Sequence, residues 1–278
     1  MSFLEHPATL VPQPVTPPRG RIALVGAGPG SADLLTLRAI RCLGRADVVF
    51  YDRLVEPEAL DFVRPGAECV FVGKEVGTHS WPQARIDAAI VAAALQGKQV
   101  VRLKSGDPSI FGRASEEIEA ARAHGIDIEI IAGVTAASAA AASLCRPLTR
   151  RGVTDRVMLA TATCCTGEMP SQIAEIARPG TSLVFYMAMN QLQALTAQLL
   201  GVGVAADQAV TVATNVSRPN ERSLNTTVSR LSQDCQAANV RNPAVILIEL
   251  AKPSEVPLAF GVADGNACNA SLSVGHMA

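Results

Sequence analysis

Histidine is scarce in this chain. Its four copies stand at positions 6, 79, 124 and 276, too scattered to cage a metal ion, so a zinc enzyme is not expected and no metal site is assigned. Cysteine is no better organised. The seven residues (42, 69, 145, 164, 165, 235 and 268) are odd in number and no pair has CxxC spacing, which points to free thiols in a reducing cytoplasm. The vicinal Cys164-Cys165 lacks the neighbouring histidine that a soft-metal site would want.

Surplus charge is missing too. A net charge of −1 over 278 residues gives no general attraction to nucleic acid or to an anionic membrane, so any anionic partner must meet a local basic cluster. No apolar run approaches the roughly 18 residues of a membrane helix. Residues 1–19 are proline-rich and lack the basic start and apolar stretch of a signal peptide. Core material, by contrast, is ample. Apolar residues make up 49% and charged residues 18%, which argues against a disordered chain and supplies one large or two ordinary domains.

Strand-like and helix-like stretches alternate. Strands are expected at 21–25, 46–51, 69–72, 100–103 and 126–131, with helices at 82–96 and 113–124 and one capped by Asp33 with apolar residues at 34, 35, 37, 40 and 43. After a helix at 136–144, further strands are expected at 157–161, 182–186, 209–214 and 244–250, and helices near 170–178, 189–200 and 227–238. Residues 220–227 read as an added antiparallel strand. The alternation argues for α/β architecture with a mainly parallel sheet covered on both faces. Residues from 253 onward are small, polar and aperiodic, and read as a loose tail.

The unusual residues of the first half all fall at carboxyl ends of predicted strands, where ligands sit in open α/β sheets. They are the Gly26–Gly30 loop, Asp52, Lys74, Ser105 to Asp107 and Gly133 to Thr135, with Lys104 and Arg113 bracketing the central turn. A nicotinamide reading of the first loop meets a broken fingerprint and stands last among the alternatives. The third glycine of GxGxxG is Ser31, and Pro29 removes an amide that a pyrophosphate would use.

Several long motifs in register then resemble the tetrapyrrole methyltransferases. They are Val25-Gly26-Ala27-Gly28-Pro29-Gly30, Tyr51-Asp52-Arg53-Leu54-Val55, Val72-Gly73-Lys74 and His79-Ser80-x-Pro82-Gln83. Further on come Arg102-Leu103-Lys104-x-Gly106-Asp107-Pro108-x-Ile110-Phe111-Gly112-Arg113, Gly133-Val134-Thr135-Ala136-Ala137-Ser138 and Phe185-Tyr186-Met187. Within the family the likeness is greatest to members that act on uroporphyrinogen III. It covers about residues 20 to 250.

The resemblance implies two α/β domains, 20–133 and 134–252, between tails at 1–19 and 253–278, with S-adenosyl-L-methionine in the cleft between them and a homodimer as the usual assembly. It implies cytoplasmic methylation of uroporphyrinogen III at carbons 2 and 7, through precorrin-1 to precorrin-2, with S-adenosyl-L-homocysteine as by-product and no nucleic acid or membrane partner. The corresponding cofactor contacts are Pro29, Ser105, Gly106, Asp107, Ile110, Thr135, Ala136, Met187, Ala213, Pro243 and Ala244. Asp52 matches the family's proton acceptor and Lys74 its proton donor. Arg53, Lys104, Arg113, Glu116 and Arg151 are the expected substrate contacts, since eight carboxylates call for cations and arginine forks suit carboxylates best.

The chain departs from the family at Ser105, Ala114, Ser115, Arg150, Thr163 and Val216, which replace glycines or histidines of its motifs. Most of these positions are glycines or lie on the substrate side. A methyltransferase for a later precorrin, or a cofactor-binding paralogue with little turnover, therefore stays open beside the main reading.

Overall fold

A computed structural model describes residues 19–73, 81–162 and 173–253. The expectations attached to Lys74, His79, Thr163, Cys164 and Cys165, and nearly all of both tails, lie outside these residues.

The first five strands form one parallel sheet. They are β1 (Arg21–Gly26), β2 (Val48–Tyr51), β3 (Glu68–Phe71), β4 (Gln99–Lys104) and β5 (Asp127–Ile131), in the order β3-β2-β4-β1-β5. The central strands are apolar on both faces because helices cover both. On one face α2 (Gln83–Leu95) and α3 (Ala114–Ala123) pack on Ile22, Leu24, Val48, Phe50 and Val100. On the other, α1 (Leu37–Leu43) and a 3-10 segment at Pro57–Phe62 pack on Ala23, Val25, Val49, Val101 and Leu103.

The connections leaving β1 and β2 step toward β3 over one face, and those leaving β3 and β4 return over the other. The chain leaves β1 and β4, which are neighbours, toward opposite faces. That is the switch point where an open α/β sheet leaves a crevice at its carboxyl ends.

One cap differs from expectation. Asp33 lies in a 3-10 turn, Ala32–Leu34, and Leu35 is extended. The α-helix starts later because the Thr36 hydroxyl accepts the Ala39 N–H at 3.1 Å, satisfying one of the first-turn amides.

The second sheet holds β6 (Arg156–Thr161), β7 (Thr181–Tyr186), β8 (Ala209–Thr214), β9 (Arg222–Thr227) and β10 (Ala244–Leu250), in the order β6-β7-β10-β8-β9. It is mixed rather than mainly parallel. Only the β6–β7 pairing is parallel, and β10 runs against both β7 and β8. The link from β8 to β9, residues 215–221, is too short for the crossover a parallel partner needs, so β9 returns antiparallel as expected for 220–227.

Helices α5 (Ile173–Ile176), α6 (Leu192–Gly201) and α7 (Leu231–Ala237) cover one face of this sheet. The other face receives α4 (Ala136–Ser143), whose sequence AASAAAAS gives it a thin profile. Ala137 and Ala140 pack directly on Val184, Ala213, Val245 and Leu247. Leu34 and Val134 from the first half join the same cluster, so the two sheets share an apolar seam.

Candidate active site

The site begins with three glycines. Gly28 and Gly106 exchange backbone hydrogen bonds across the switch point, with Gly28 N–H donating at 3.3 Å and Gly106 N–H at 2.6 Å, while Ala27 N–H donates to the Lys104 carbonyl at 2.8 Å. Gly133 sits so close that a Cβ there would lie 2.2 Å from the Gly106 carbonyl oxygen. Gly106 itself has φ +71° and a Cβ built on it would meet nothing within 4 Å, so its bare backbone faces open space. Asp107 fastens this arrangement. One carboxylate oxygen accepts Gly133 N–H at 3.0 Å and the other accepts Ser109 N–H at 2.8 Å.

The opposing rim comes from the second sheet. Register places Tyr186, Ala213 and Val245 side by side, with Thr214 opposite Ala244 and Asn215 N–H bonded to the Pro243 carbonyl. Met187, Ala213, Pro243 and Ala244 therefore share one sheet edge. This edge meets the first rim at three places. The Tyr186 hydroxyl lies 2.6 Å from Thr135 Oγ1 and accepts Ala137 N–H at 2.9 Å, and its ring is 5.2 Å from that of Phe111. Ser31 N–H donates to the Ser217 carbonyl at 2.9 Å. Arg218 donates to the Leu54 carbonyl and pairs with Glu56, both at 2.8 Å.

Of the expected cofactor set, Ala213 is buried in the apolar seam, while Gly106, Asp107 and Thr135 thus lie at the first rim and Met187, Pro243 and Ala244 at the second. Phe111 and Met187 stand there on left-handed backbones (φ 52° and 54°) with apolar side chains 41% and 46% exposed. Burial raises the Tyr186 phenol above its ordinary value, against the lowering effect of its bonds to Thr135 and Ala137.

Beside the crevice lies a buried charge network. Alternation along β4 turns Val100, Arg102 and Lys104 toward the α2–α3 face, and the same alternation carries Asp52 there from the end of β2. Arg102 donates to Glu117 at 3.1 Å and to Asp52 at 3.3 Å, and Lys104 Nζ reaches both Glu117 oxygens at 2.8 and 2.9 Å. Two carboxylates and two cations balance. Arg102, Lys104 and Glu117 are 4%, 5% and 0% exposed.

Burial lowers the Lys104 pKa and the Arg102 charge pushes the same way, with Glu117 opposing both. Asp52 is the one member whose side chain keeps substantial exposure, 30%. Its other oxygen accepts Leu54 N–H at 3.3 Å, the turn bond that a structural aspartate would make.

The expected substrate cations disperse. Lys104 is no rim cation, because Glu117 takes its charge inside. Arg53 and Arg113 are exposed, and Arg113 pairs with Glu116 at 2.6 Å on the surface. Arg151 stands at the opposite end of the second sheet, since its neighbour Arg150 bonds Glu249 at 3.0 Å and Glu249 pairs with Ser182 at the start of β7. Helix α4 has run about 12 Å away from the rim by then.

The model of the family described as Tetrapyrrole (Corrin/Porphyrin) Methylases matches residues 21–232. The chain belongs to that family. It is 40% identical over 229 residues to the siroheme synthase of Stutzerimonas stutzeri (strain A1501), covering 82% of this chain and 49% of that protein. The siroheme synthase of Pseudomonas fluorescens (strain SBW25) is 41% identical with the same coverage. The chain thus spans about half the length of the curated relatives it matches.

Among solved structures, uroporphyrin-III C-methyl transferase from Thermus thermophilus, complexed with S-adenosyl homocysteine, superposes with a TM-score of 0.71 at 33% identity, covering 83% of this chain and 92% of that one. A cobalt precorrin-4 methyltransferase of cobalamin biosynthesis superposes at 0.73 with 29% identity, covering 84% and 97%.

In this tetrapyrrole methylase, sequence reasoning missed Arg102, Glu117, Tyr186 and Arg218. Glu117 was within reach. Ala114, Glu117 and Ala121 lie three and four residues apart, so helical spacing puts Glu117 rather than Glu116 on the buried face of α3.

Proposed function

We propose that the chain transfers methyl groups from S-adenosyl-L-methionine to carbons 2 and 7 of uroporphyrinogen III, giving precorrin-2 by way of precorrin-1. The observation that carries the reading is the meeting of two rims. Thr135, which follows the first sheet, meets Tyr186 of β7, the residue before Met187, over an apolar seam to which both halves contribute. The likeness to a methyl transferase complexed with S-adenosyl homocysteine supports the same place for the cofactor.

The residues fit such a nucleoside. The open space above Gly106 receives a ligand against bare backbone, and the exposed Phe111 and Met187 offer apolar contact to a heterocycle. Pro29, Ser105, Asp107, Ile110, Ala136, Ala213 and Pro243 complete the cradle, with Asp107 acting through the loop it fastens. When bound, the sulfonium supplies an electrophilic methyl group.

The chain's own task is then alignment and charge. Holding two reactants in line lowers the barrier without a covalent enzyme intermediate. Asp52, aimed by Arg102 and by Leu54 N–H, presents a carboxylate that stabilises positive charge developing on the pyrrole and accepts the ring proton. Lys74 is assigned as proton donor from its motif. Arg53 and Arg113 are the exposed cations assigned to substrate carboxylates. Lys104 and Arg151 are left out of that set by their positions.

Incubation with uroporphyrinogen III and methyl-labelled cofactor tests the reading, with two labels per macrocycle expected. Label that enters only an already methylated precorrin overturns the substrate. Tight S-adenosylhomocysteine binding without transfer to any tetrapyrrole overturns the activity. Asp52→Asn is expected to lower the transfer rate roughly a hundredfold or more with cofactor affinity kept.

A further inference from the structure

The first sheet carries a second cluster of charge that the methyl-transfer rim does not use. At the end where β1 and β4 begin, a cleft of about 390 Å3 opens between α1 and the sheet. Arg38 and Arg41 on α1, and Arg45 just past its end, are spaced three and four residues apart, so one helical face brings them to the same opening. Arg21 adds a fourth cation from the start of β1.

All four arginines are exposed, and among the described residues none of their guanidiniums has an ion pair or a hydrogen-bonded acceptor. The one carboxylate in the lining, Glu129 on β5, pairs with none of them. Beneath the arginines the floor is apolar, made by Ala23, Val101 and Ile131.

Helix-dipole chemistry accounts for part of this, since cations are favourable at a helix carboxyl end and Arg41 and Arg45 sit there. It gives no reason for Arg21 and Arg38 to face the same void. Four like charges around an unfilled volume repel one another, in a chain whose net charge is −1. The volume lies within the roughly 300–1,000 Å3 of small-molecule sites. Guanidinium forks take carboxylate or phosphate groups two bonds at a time, and an apolar floor takes carbon.

The geometry points to a binding site for a small organic polyanion, with a compact carbon body on the floor and two or more carboxylate or phosphate groups on the arginines. It is independent of the methyl-transfer reading, because the cleft lies on the α1 face with Arg21, Ala46 and Gln99 at strand starts, whereas Asp52 follows a strand end on the α2–α3 face.

Calorimetric titration of the full chain at low ionic strength tests it, with benzene-1,3,5-tricarboxylate as one probe and inorganic pyrophosphate as the other. One-site binding that weakens with added salt is expected from at least one probe, and whichever binds tighter assigns the anionic group. The double variant Arg38→Ala/Arg41→Ala is expected to weaken it at least tenfold. Glu129→Gln, which removes the carboxylate of the lining, is expected to tighten it several-fold. All three positions are exposed, so folding is kept and an unchanged circular dichroism melt verifies that. Three results overturn the site: no binding of either probe at millimolar concentration, equal affinity in the double variant, or loss of binding in Arg113→Ala, which would move the anion to the methyl-transfer rim.

Discussion

Gly106 and Gly133 touch each other, yet a methyl group added to each would do opposite things. At Gly133 the new Cβ would strike the Gly106 carbonyl at 2.2 Å, so Gly133→Ala must force the two loops apart. At Gly106 it would enter empty space, and the positive φ alone costs about 1–2 kcal/mol. Gly106→Ala is therefore expected to fold with a modest loss of melting temperature yet to bind S-adenosylhomocysteine at least tenfold more weakly by calorimetry. Gly133→Ala is expected to show its defect first in stability. Glu117 makes a third case. Glu117→Gln leaves Arg102 and Lys104 as adjacent buried cations, and breaking a buried ion pair costs about 3–5 kcal/mol. Denaturant titration checks this, and a midpoint equal to the parent's would mean that the network adds nothing to stability.

Helix α4 and strand β7 are held together at their ends by one hydroxyl. Tyr186→Phe removes the acceptor of Ala137 N–H and the partner of Thr135 while leaving the ring against Phe111. A loss of about 1–3 kcal/mol is expected in chemical denaturation, with cofactor affinity falling further because Thr135 is freed. Much at this scale was legible in the sequence. Strand positions followed from apolar runs ending at glycine or aspartate, and the unusual residues of the first half fall at the strand ends where the first sheet has its switch point. The pairing direction of β10 was not legible, because a strand buried on both faces reads alike whichever way it runs. The helix cap at Thr36 was hidden because Asp33 and Thr36 are both good caps, and only the extended Leu35 decides between them. Lys104 misled for a related reason. A lysine at a strand end reads as exposed unless the buried face of the following helix is known to carry a glutamate.

The two halves of the molecule each carry a thiol that resists ionisation. Burial pushes Cys42 in α1 up to about 11, with the Glu129 charge adding to it, and burial pushes Cys235 in α7 up to about 11, with Asp234 adding to it. In the unfolded chain both would titrate near 9.0. The folded state thus holds these protons more tightly, so their contribution to stability is complete below about pH 9 and is lost as pH rises toward 11. Denaturation midpoints measured at about pH 8 and about pH 10.5 are expected to fall between the two. The fall should shrink in Cys42→Ala/Cys235→Ala, and an undiminished fall in that variant assigns the alkaline loss to other groups.

The cross-laced loops at the switch point have a consequence for what kind of molecule can rest on them. Ala27 and Gly28 donate their amides to the end of β4 and the loop after it, Ser31 donates its own to Ser217 in the link between β8 and β9, and Pro29 has none to give. A dinucleotide fold keeps such amides outward for its diphosphate. Here they are consumed in holding the protein to itself, so the turn that most resembles a nucleotide fingerprint is a clasp between two halves. It suits a visitor that carries adenosine and a positive centre but no phosphate.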